Sequence, residues 1–243
     1  MSKIKNISKV KTVILCGGLG TRIFEETKTK PKPMIKIGDR PILSHILDIY
    51  QKHGFKNFLL ATGYKGEIIK NYFRKKNSKK IFVTTVDTGK KTMTGGRLLK
   101  LRKFFNKDEN FMLTYGDGLS NQNLKSLYKY HLSHGKIATI TAVRPPARYG
   151  ELSLKGSKVK KFEEKPIVTQ SWINGGFFVF NTKIFKFIKN HKTILEKSPL
   201  ENLSKKGELM AFRHKGFWQC MDTMRDKKYL TNILKNNKAP WKS

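Results

Sequence analysis

Lys11-Thr12-Val13-Ile14-Leu15-Cys16-Gly17-Gly18-Leu19-Gly20-Thr21-Arg22 is the stretch that decides the fold. Its first half is a short β-branched apolar run closed by glycines, which reads as a buried strand. Its second half is a glycine-rich loop at that strand's carboxyl end, where open α/β sheets bind their ligands. Gly17, Gly18 and Gly20 let the backbone approach a phosphate closely and turn N–H groups toward it. Arg22 adds a cation with a forked donor set. Two common phosphate-binding patterns fail here. Counted from Gly18, the third glycine of G-x-G-x-x-G falls on Ile23, and no Gly-Lys-Ser/Thr follows to make a P-loop. On its own, the loop is also readable as a plain tight turn, the lesser of the two readings.

Outward from the loop, strand-like and helix-like segments alternate. Ile42, Leu43, Ile46, Leu47 and Tyr50 recur at helical spacing after Pro41, with Gly54 just past the end. Phe58 to Thr62, Ile81 to Val86, Phe111 to Tyr115 and Ile137 to Val143 read as strands. Ile68, Ile69, Tyr72 and Phe73 mark one intervening helix; Leu124, Leu127, Tyr128 and His131 mark another. The alternation predicts an α/β fold: a Rossmann-like mixed, mostly parallel sheet with helices on both faces. Later segments (Glu151 to Leu154, Val159 to Phe162, Trp172 to Phe180, Leu209 to Arg213) predict further strands, and Arg225 to Lys235 a closing helix. With no repeat and no linker, residues 1–243 read as one domain with two lobes, about 11–143 and 144–243.

The chain carries 51 Lys and Arg against 17 Asp and Glu, a formal charge of +34. That excess invites a nucleic-acid reading. Its distribution argues otherwise: residues 1–80 hold 19 bases and 5 acids, residues 81–160 hold 15 and 5, and residues 161–243 hold 17 and 7. Only 9 of the bases are Arg, the residue that reads phosphates and base edges with a planar fork. The even field is suited to attracting small polyanions such as nucleoside triphosphates. No apolar stretch approaches a membrane span. No signal-peptide core is evident, and two cysteines make no disulfide framework, so a cytoplasmic protein is expected.

About ten residues beyond the loop, Lys30-Pro31-Lys32-Pro33 forms a proline-stiffened strap. Each proline pushes its predecessor toward an extended conformation, which would present a lysine rigidly to a phosphate. Gly17-Gly18-Leu19-Gly20-Thr21-Arg22 followed by Lys30-Pro31-Lys32-Pro33-Met34 resembles the signature of the sugar-1-phosphate nucleotidylyltransferase family. Val86-Asp87-Thr88-Gly89, Met93-Thr94-Gly95-Gly96-Arg97, Thr114-Tyr115-Gly116-Asp117-Gly118, Trp172-Ile173-Asn174-Gly175-Gly176-Phe177-Phe178, Gly216-Phe217-Trp218-Gln219, Met221-Asp222-Thr223 and Lys238-Ala239-Pro240-Trp241-Lys242 follow in order. The whole set, from about Lys11 to Lys242, is most similar to the family's glucose-1-phosphate cytidylyltransferases.

The resemblance implies a nucleotide-diphospho-sugar transferase fold with a smaller sugar-binding lobe, and attack of glucose 1-phosphate on the α-phosphorus of CTP. Bringing two anions together makes positioning and charge screening the main tasks. Mg²⁺, which takes one or two carboxylates plus substrate phosphates, is the implied cofactor, with Asp117 and Asp222 as its ligands. The local alternatives are an Asx-type turn at Asp117 and a helix cap at Asp222. Lys32 is matched to the triphosphate and Arg22 to the leaving pyrophosphate. The backbone from Leu15 through Gly17 and Gly18 to Gly20 is matched to base and ribose, and Thr21, Thr94, Gly96 and Arg97 to further nucleotide contacts. Gly150, Glu164, Lys165, Asn174 and Gly175 are matched to the sugar phosphate. Tyr115 and Trp218 read equally as ligand borders and as core aromatics.

Cys16 stands where relatives generally have Ala and Cys220 where they have Pro; inert thiols are the simpler reading. The stretch between Phe73 and Thr84 is shorter than in relatives, which bears on the homo-oligomer that the family implies. His131-x-x-His134 reads as a solvated helix face rather than a metal pair. Alternative functions are the same fold using dTTP or UTP, a nucleic-acid-binding module, and an inactive scaffold. Small-molecule substrates, with neither nucleic acid nor membrane as partner, are the expectation.

Overall fold

A computed structural model describes residues 6–75, 81–145, 150–164 and 171–242. Its centre is a seven-stranded sheet. In chain order the strands are β1 (Lys11–Leu15), β2 (Asn57–Thr62), β3 (Phe82–Asp87), β4 (Asn110–Tyr115), β5 (Ala138–Val143), β6 (Ile173–Asn181) and β7 (Leu209–His214). Their spatial order is β7-β5-β6-β4-β1-β2-β3. β4, β1, β2 and β3 are mutually parallel, as is the β5–β7 pair, while β6 runs antiparallel to both its neighbours. The mixed, mostly parallel sheet expected from the alternation is therefore present. β6 enters the middle of the sheet and joins residues from the second half of the chain to β4.

Side chains alternate across each strand, and the alternation sorts the core into two layers. Ile14, Leu60, Met112 and Phe177 face one side, under helices α1 (Ile42–Lys52), α2 (Gly66–Lys75), α4 (Leu124–His134) and α6 (Met224–Lys235). Val13, Leu15, Leu59, Leu113 and Phe178 face the other, under α3 (Thr94–Lys100) and α5 (Ser198–Lys205). Both faces are covered, which is why β1 and β2 read as unbroken apolar runs.

Two local readings need correction, and one helix goes beyond the sequence reading. Pro31 is extended (φ −71°, ψ 149°), but Lys32–Met34 turns into a short 3₁₀ helix, where Pro33 fits because a first-turn N–H has no intrahelical partner. The glycine pair Gly95-Gly96 lies inside α3, although glycine disfavours helices. The reason is close packing: a Cβ on Gly96 would stand 2.3 Å from the His191 carbonyl oxygen. His131 is buried at 2% exposure, bonded to Thr139 Oγ1 at 2.9 Å and near Asn110 Oδ1 at 3.3 Å, so that helix face is not solvated. Residues 76–80, within the shortened stretch, lie outside the described residues.

Candidate active site

The strand order places the carboxyl ends of β1 and β4 side by side, and the loops after them meet. After β4 the chain turns at Gly116-Asp117 into a short strand, Gly118–Ser120, which pairs antiparallel with Trp218–Cys220. Cys220 opposes Gly118, and the Met221 N–H donates to the Asp117 carbonyl at 2.9 Å. That small ladder carries Asp222 to Asp117 across a long sequence separation. Thr223, with Asp226 as its capping-box partner, takes the N-cap of α6. Asp222 is thus left free to face the loops.

Lys32 joins the two carboxylates. Its Nζ lies 2.6 Å from Asp117 Oδ2 and 2.5 Å from Asp222 Oδ1. Arg22 Nη1 donates to the other Asp222 oxygen at 2.7 Å. Burial pulls the Lys32 ammonium down, but Asp117 and Asp222 outweigh it and hold its pKa above the usual lysine value. Burial likewise pushes Asp222 up, and Lys32 and Arg22 bring it below the ordinary carboxylate range. The result is a charged cluster at the wall of a cavity of about 1040 Å³, lined by Arg22, Tyr115, Asp117, Asn174, Trp218 and Asp222. Among the described residues no third His, Cys, Asp or Glu groups with these to make a larger metal cluster. Two carboxylates meeting at one cationic point suit Mg²⁺, which fills its remaining positions with water and phosphate oxygens.

The glycine loop stands beside the cluster. Leu15 is buried at the end of β1. Gly20 is left-handed (φ 68°), and a Cβ there would press on Thr27 and Lys32. Gly18 has open space where its Cβ would be, and Thr21 and Arg22 are exposed. Beneath the loop, Arg97 is buried and donates to the carbonyls of Thr62 (3.0 Å), Gly89 (2.9 Å) and Gly17 (2.8 Å) and to Thr88 Oγ1 (2.6 Å). A Cβ on Gly17 would lie 2.0 Å from Arg97 Nη1. Burial draws the Arg97 pKa down. Arg97 and Gly96 thus face the interior, and Thr94 bonds Glu196 Oε2 at 2.6 Å.

On the sugar side, Asn174 and Gly175 line the cavity. Gly150 sits against Phe162 and Glu164, whose Oε2 would be 3.1 Å from a Cβ. Lys165 lies outside the described residues. Tyr115 and Trp218 both line the cavity, and the Trp218 indole donates to the Gly175 carbonyl at 2.7 Å. Arg225 and Tyr229 also line it and were not singled out from sequence. Their signal was helical spacing after Asp222, which turns the same face of α6 toward the loops. Glu196, bonded to Tyr115, was missed and belongs to no motif.

Neither cysteine is paired. Burial and the neighbouring Asp222 and Asp117 push the Cys220 thiol up to about 12. Cys16 is buried and also raised, by burial first and by Asp117 second.

Residues 11–226 match the nucleotidyl transferase family model. This chain belongs to that family. Over 255 aligned residues it is 46% identical to the glucose-1-phosphate cytidylyltransferase of Salmonella typhimurium, covering 96% of this chain and 99% of the relative. A probable glucose-1-phosphate cytidylyltransferase of Bacillus subtilis is 41% identical over 96% of this chain and 99% of its own. The fold is similar to that of HddC from Yersinia pseudotuberculosis, with a TM-score of 0.75 at 24% identity over 93% of this chain and 99% of that one. Among the described residues of this nucleotidyl transferase, no helix is long and apolar enough to cross a membrane.

Proposed function

We propose that this nucleotidyl transferase joins glucose 1-phosphate to CTP, releasing pyrophosphate and forming CDP-glucose. The observation that carries the reading is the meeting of Asp117 and Asp222 on Lys32 at the wall of a cavity of about 1040 Å³. The 46% identity to a glucose-1-phosphate cytidylyltransferase over nearly the full chain supports the choice of substrates.

In this reading a sugar-phosphate oxygen forms a bond to the α-phosphorus as the bond to the β-phosphate's bridging oxygen breaks. The nucleophile is already anionic at neutral pH, so no general base is required; alignment and electrostatics do the work. Asp117 and Asp222 would hold Mg²⁺, which when bound neutralises charge on the phosphates. Lys32 contacts the triphosphate, and exposed Arg22 takes up charge on the departing pyrophosphate. Leu15, Gly17, Gly18, Gly20 and Thr21 hold the nucleoside portion. Arg97 secures that cradle from beneath through the Gly17 carbonyl, while Thr94 and Gly96 hold the adjoining helix against Glu196 and His191. Asn174 and Gly175, with Gly150, Glu164 and Lys165, receive the sugar phosphate. The proposal extends to a cytoplasmic homo-oligomer, as the family resemblance implies.

A pyrophosphate-release screen tests this, crossing CTP, UTP, dTTP, ATP and GTP with several sugar 1-phosphates in the presence of Mg²⁺. Release from CTP that depends on glucose 1-phosphate is the expected result. Equal turnover with UTP or dTTP would overturn the nucleotide assignment, and release indifferent to the sugar phosphate would overturn the reaction.

A further inference from the structure

Glu196 lies outside every motif, yet it occupies a junction. Its Oε1 accepts the Tyr115 hydroxyl at 2.5 Å and its Oε2 accepts the Thr94 hydroxyl at 2.6 Å. Tyr115 in turn stands 3.4 Å from Asn174 Nδ2, and Asn174 Oδ1 accepts the Gly176 N–H at 2.8 Å. Tyr115 and Asn174 line the main cavity, whereas Glu196 stands behind them.

The local backbone is built around this arrangement. β6 pairs with β4 only from Phe177 opposite Thr114, and its register with β5 shifts between Asn174 and Phe178. Asn174 still opposes Ala142 on β5, and the irregularity falls immediately after it, on Gly175 to Phe177. Gly176 is left-handed (φ 75°), and a Cβ on it would stand 2.6 Å from the Tyr115 ring. The tyrosine ring therefore has a fixed seat on glycine, and its hydroxyl has a fixed partner.

A carboxylate accepts and cannot donate when ionised. Facing Glu196, the Tyr115 hydroxyl must spend its single proton on that bond, which leaves its oxygen lone pair for the Asn174 amide. Asn174 is then fixed at both ends, nitrogen toward Tyr115 and oxygen toward Gly176. Its second N–H and second oxygen lone pair are presented in one orientation. A hydroxyl-rich pyranose needs such a donor and acceptor in a defined order.

We infer that Glu196 is a positioning residue for the sugar: through Tyr115 it fixes the side-chain amide of Asn174 toward the hydroxyls of the sugar 1-phosphate. The inference rests on the proposed function, which assigns that wall of the cavity to the sugar phosphate. It predicts that removing the Tyr115 hydroxyl or the Glu196 charge weakens sugar binding selectively.

Tyr115→Phe keeps the ring on Gly176 and deletes only the hydroxyl. Glu196→Gln keeps the shape and loses the obligatory acceptor. Each variant is expected to raise KM for the sugar 1-phosphate about tenfold, roughly the effect of one lost hydrogen bond, with KM for the nucleotide within twofold. The double variant should be no worse than Tyr115→Phe, because both act through one relay. The nucleotide and sugar phosphate used are whichever pair the pyrophosphate screen selects, so failure of the CTP or glucose assignment leaves this comparison intact. A second readout is independent of turnover: in the substrate-free protein, both variants should shift the Asn174 side-chain amide signal in a ¹⁵N NMR spectrum. Equal KM changes for both substrates, additive effects in the double variant, or an unmoved Asn174 signal would each overturn the assignment.

Discussion

Lys32 and Asp222, separated by 190 residues, meet at 2.5 Å, and the same ammonium lies 2.6 Å from Asp117. The lysine stands where two acidic side chains converge, so its charge is part of what lets both fold inward. The side chains are only 11% and 12% exposed in the Lys32–Asp222 pair. Removing one partner from such a pair strands the other's charge.

Lys32→Met is therefore expected to lose about 3 kcal/mol of stability. Mg²⁺ should return part of that loss, because a cation that binds the folded carboxylates stabilises the folded state. Urea unfolding of wild type and variant, with and without millimolar Mg²⁺, measures both effects. A gain from Mg²⁺ no larger in the variant than in wild type would argue that Asp117 and Asp222 do not form a cation site.

Asp117→Asn keeps an oxygen for Lys32 and should fold. Turnover should fall by about 10²–10³-fold, the scale on which removal of one preorganised electrostatic group acts. The Mg²⁺ concentration needed for half-maximal rate should rise. Steady-state pyrophosphate release across a Mg²⁺ titration gives both numbers, and wild-type rates in the variant would remove Asp117 from the mechanism.

Arg97 acts from below the loop rather than within the cavity. Arg97→Met leaves the carbonyls of Gly17, Thr62 and Gly89 without their buried donor. An unsatisfied buried carbonyl costs about 1–3 kcal/mol, so a loss of roughly 3 kcal/mol is expected after local relaxation. KM for the nucleotide should rise more than KM for the sugar phosphate, since Gly17 belongs to the nucleotide loop. Denaturant unfolding and paired KM measurements decide it; a sugar-selective effect would contradict this placement.

The sheet was legible because its strands are short apolar runs bounded by glycine, and its helices repeat at helical spacing. The cluster was legible too: Arg22, Lys32, Asp117 and Asp222 each sit in a distinctive motif, and folding gathers all of them. What stayed hidden has a common physical cause. Arg97 looks like a ligand contact in sequence, and only the packing of α3 beneath β1 turns its guanidinium to the backbone. Glu196 has no motif because its partners, Thr94 and Tyr115, lie 102 and 81 residues away. Helix α3 was obscured by glycines whose purpose, close approach to His191, depends on a distant segment.

Cys220 lines the cavity, yet its thiol is held up at about 12 by burial and by Asp222 and Asp117. Thiolate is the reactive form, so alkylation by iodoacetamide at pH 8 should be far slower than for a free thiol. Asp222→Asn removes one of the charges that suppress the thiolate and should speed the reaction at Cys220 while leaving buried Cys16 unreacted. Mass-spectrometric mapping of alkylated sites over time checks this. Rapid alkylation of wild-type Cys220 would show that the thiol is not held in the protonated form.

His131 should set the acid limit of stability. It is buried at 2% exposure, and burial, then the adjacent His134, lower its pKa from 6.5 to about 4. The unfolded chain takes up that proton near pH 6.5 and the folded chain only near pH 4. Between those values the unfolded state holds more protons, so stability falls as pH falls. The loss is full by about pH 4 and on the order of 3 kcal/mol. Above pH 6.5 this group contributes no pH dependence. Asp222, lowered rather than raised, loses its contribution only below the ordinary carboxylate value of 3.8, so the two effects occupy different windows. Urea unfolding at pH 4.5, 5.5 and 7.0 should show the decline, and His131→Gln, which retains a polar partner for Thr139, should reduce its slope, the remainder coming from His45, His53, His134 and His214, whose pKa values burial also lowers. An unchanged slope in that variant would assign the acid sensitivity elsewhere.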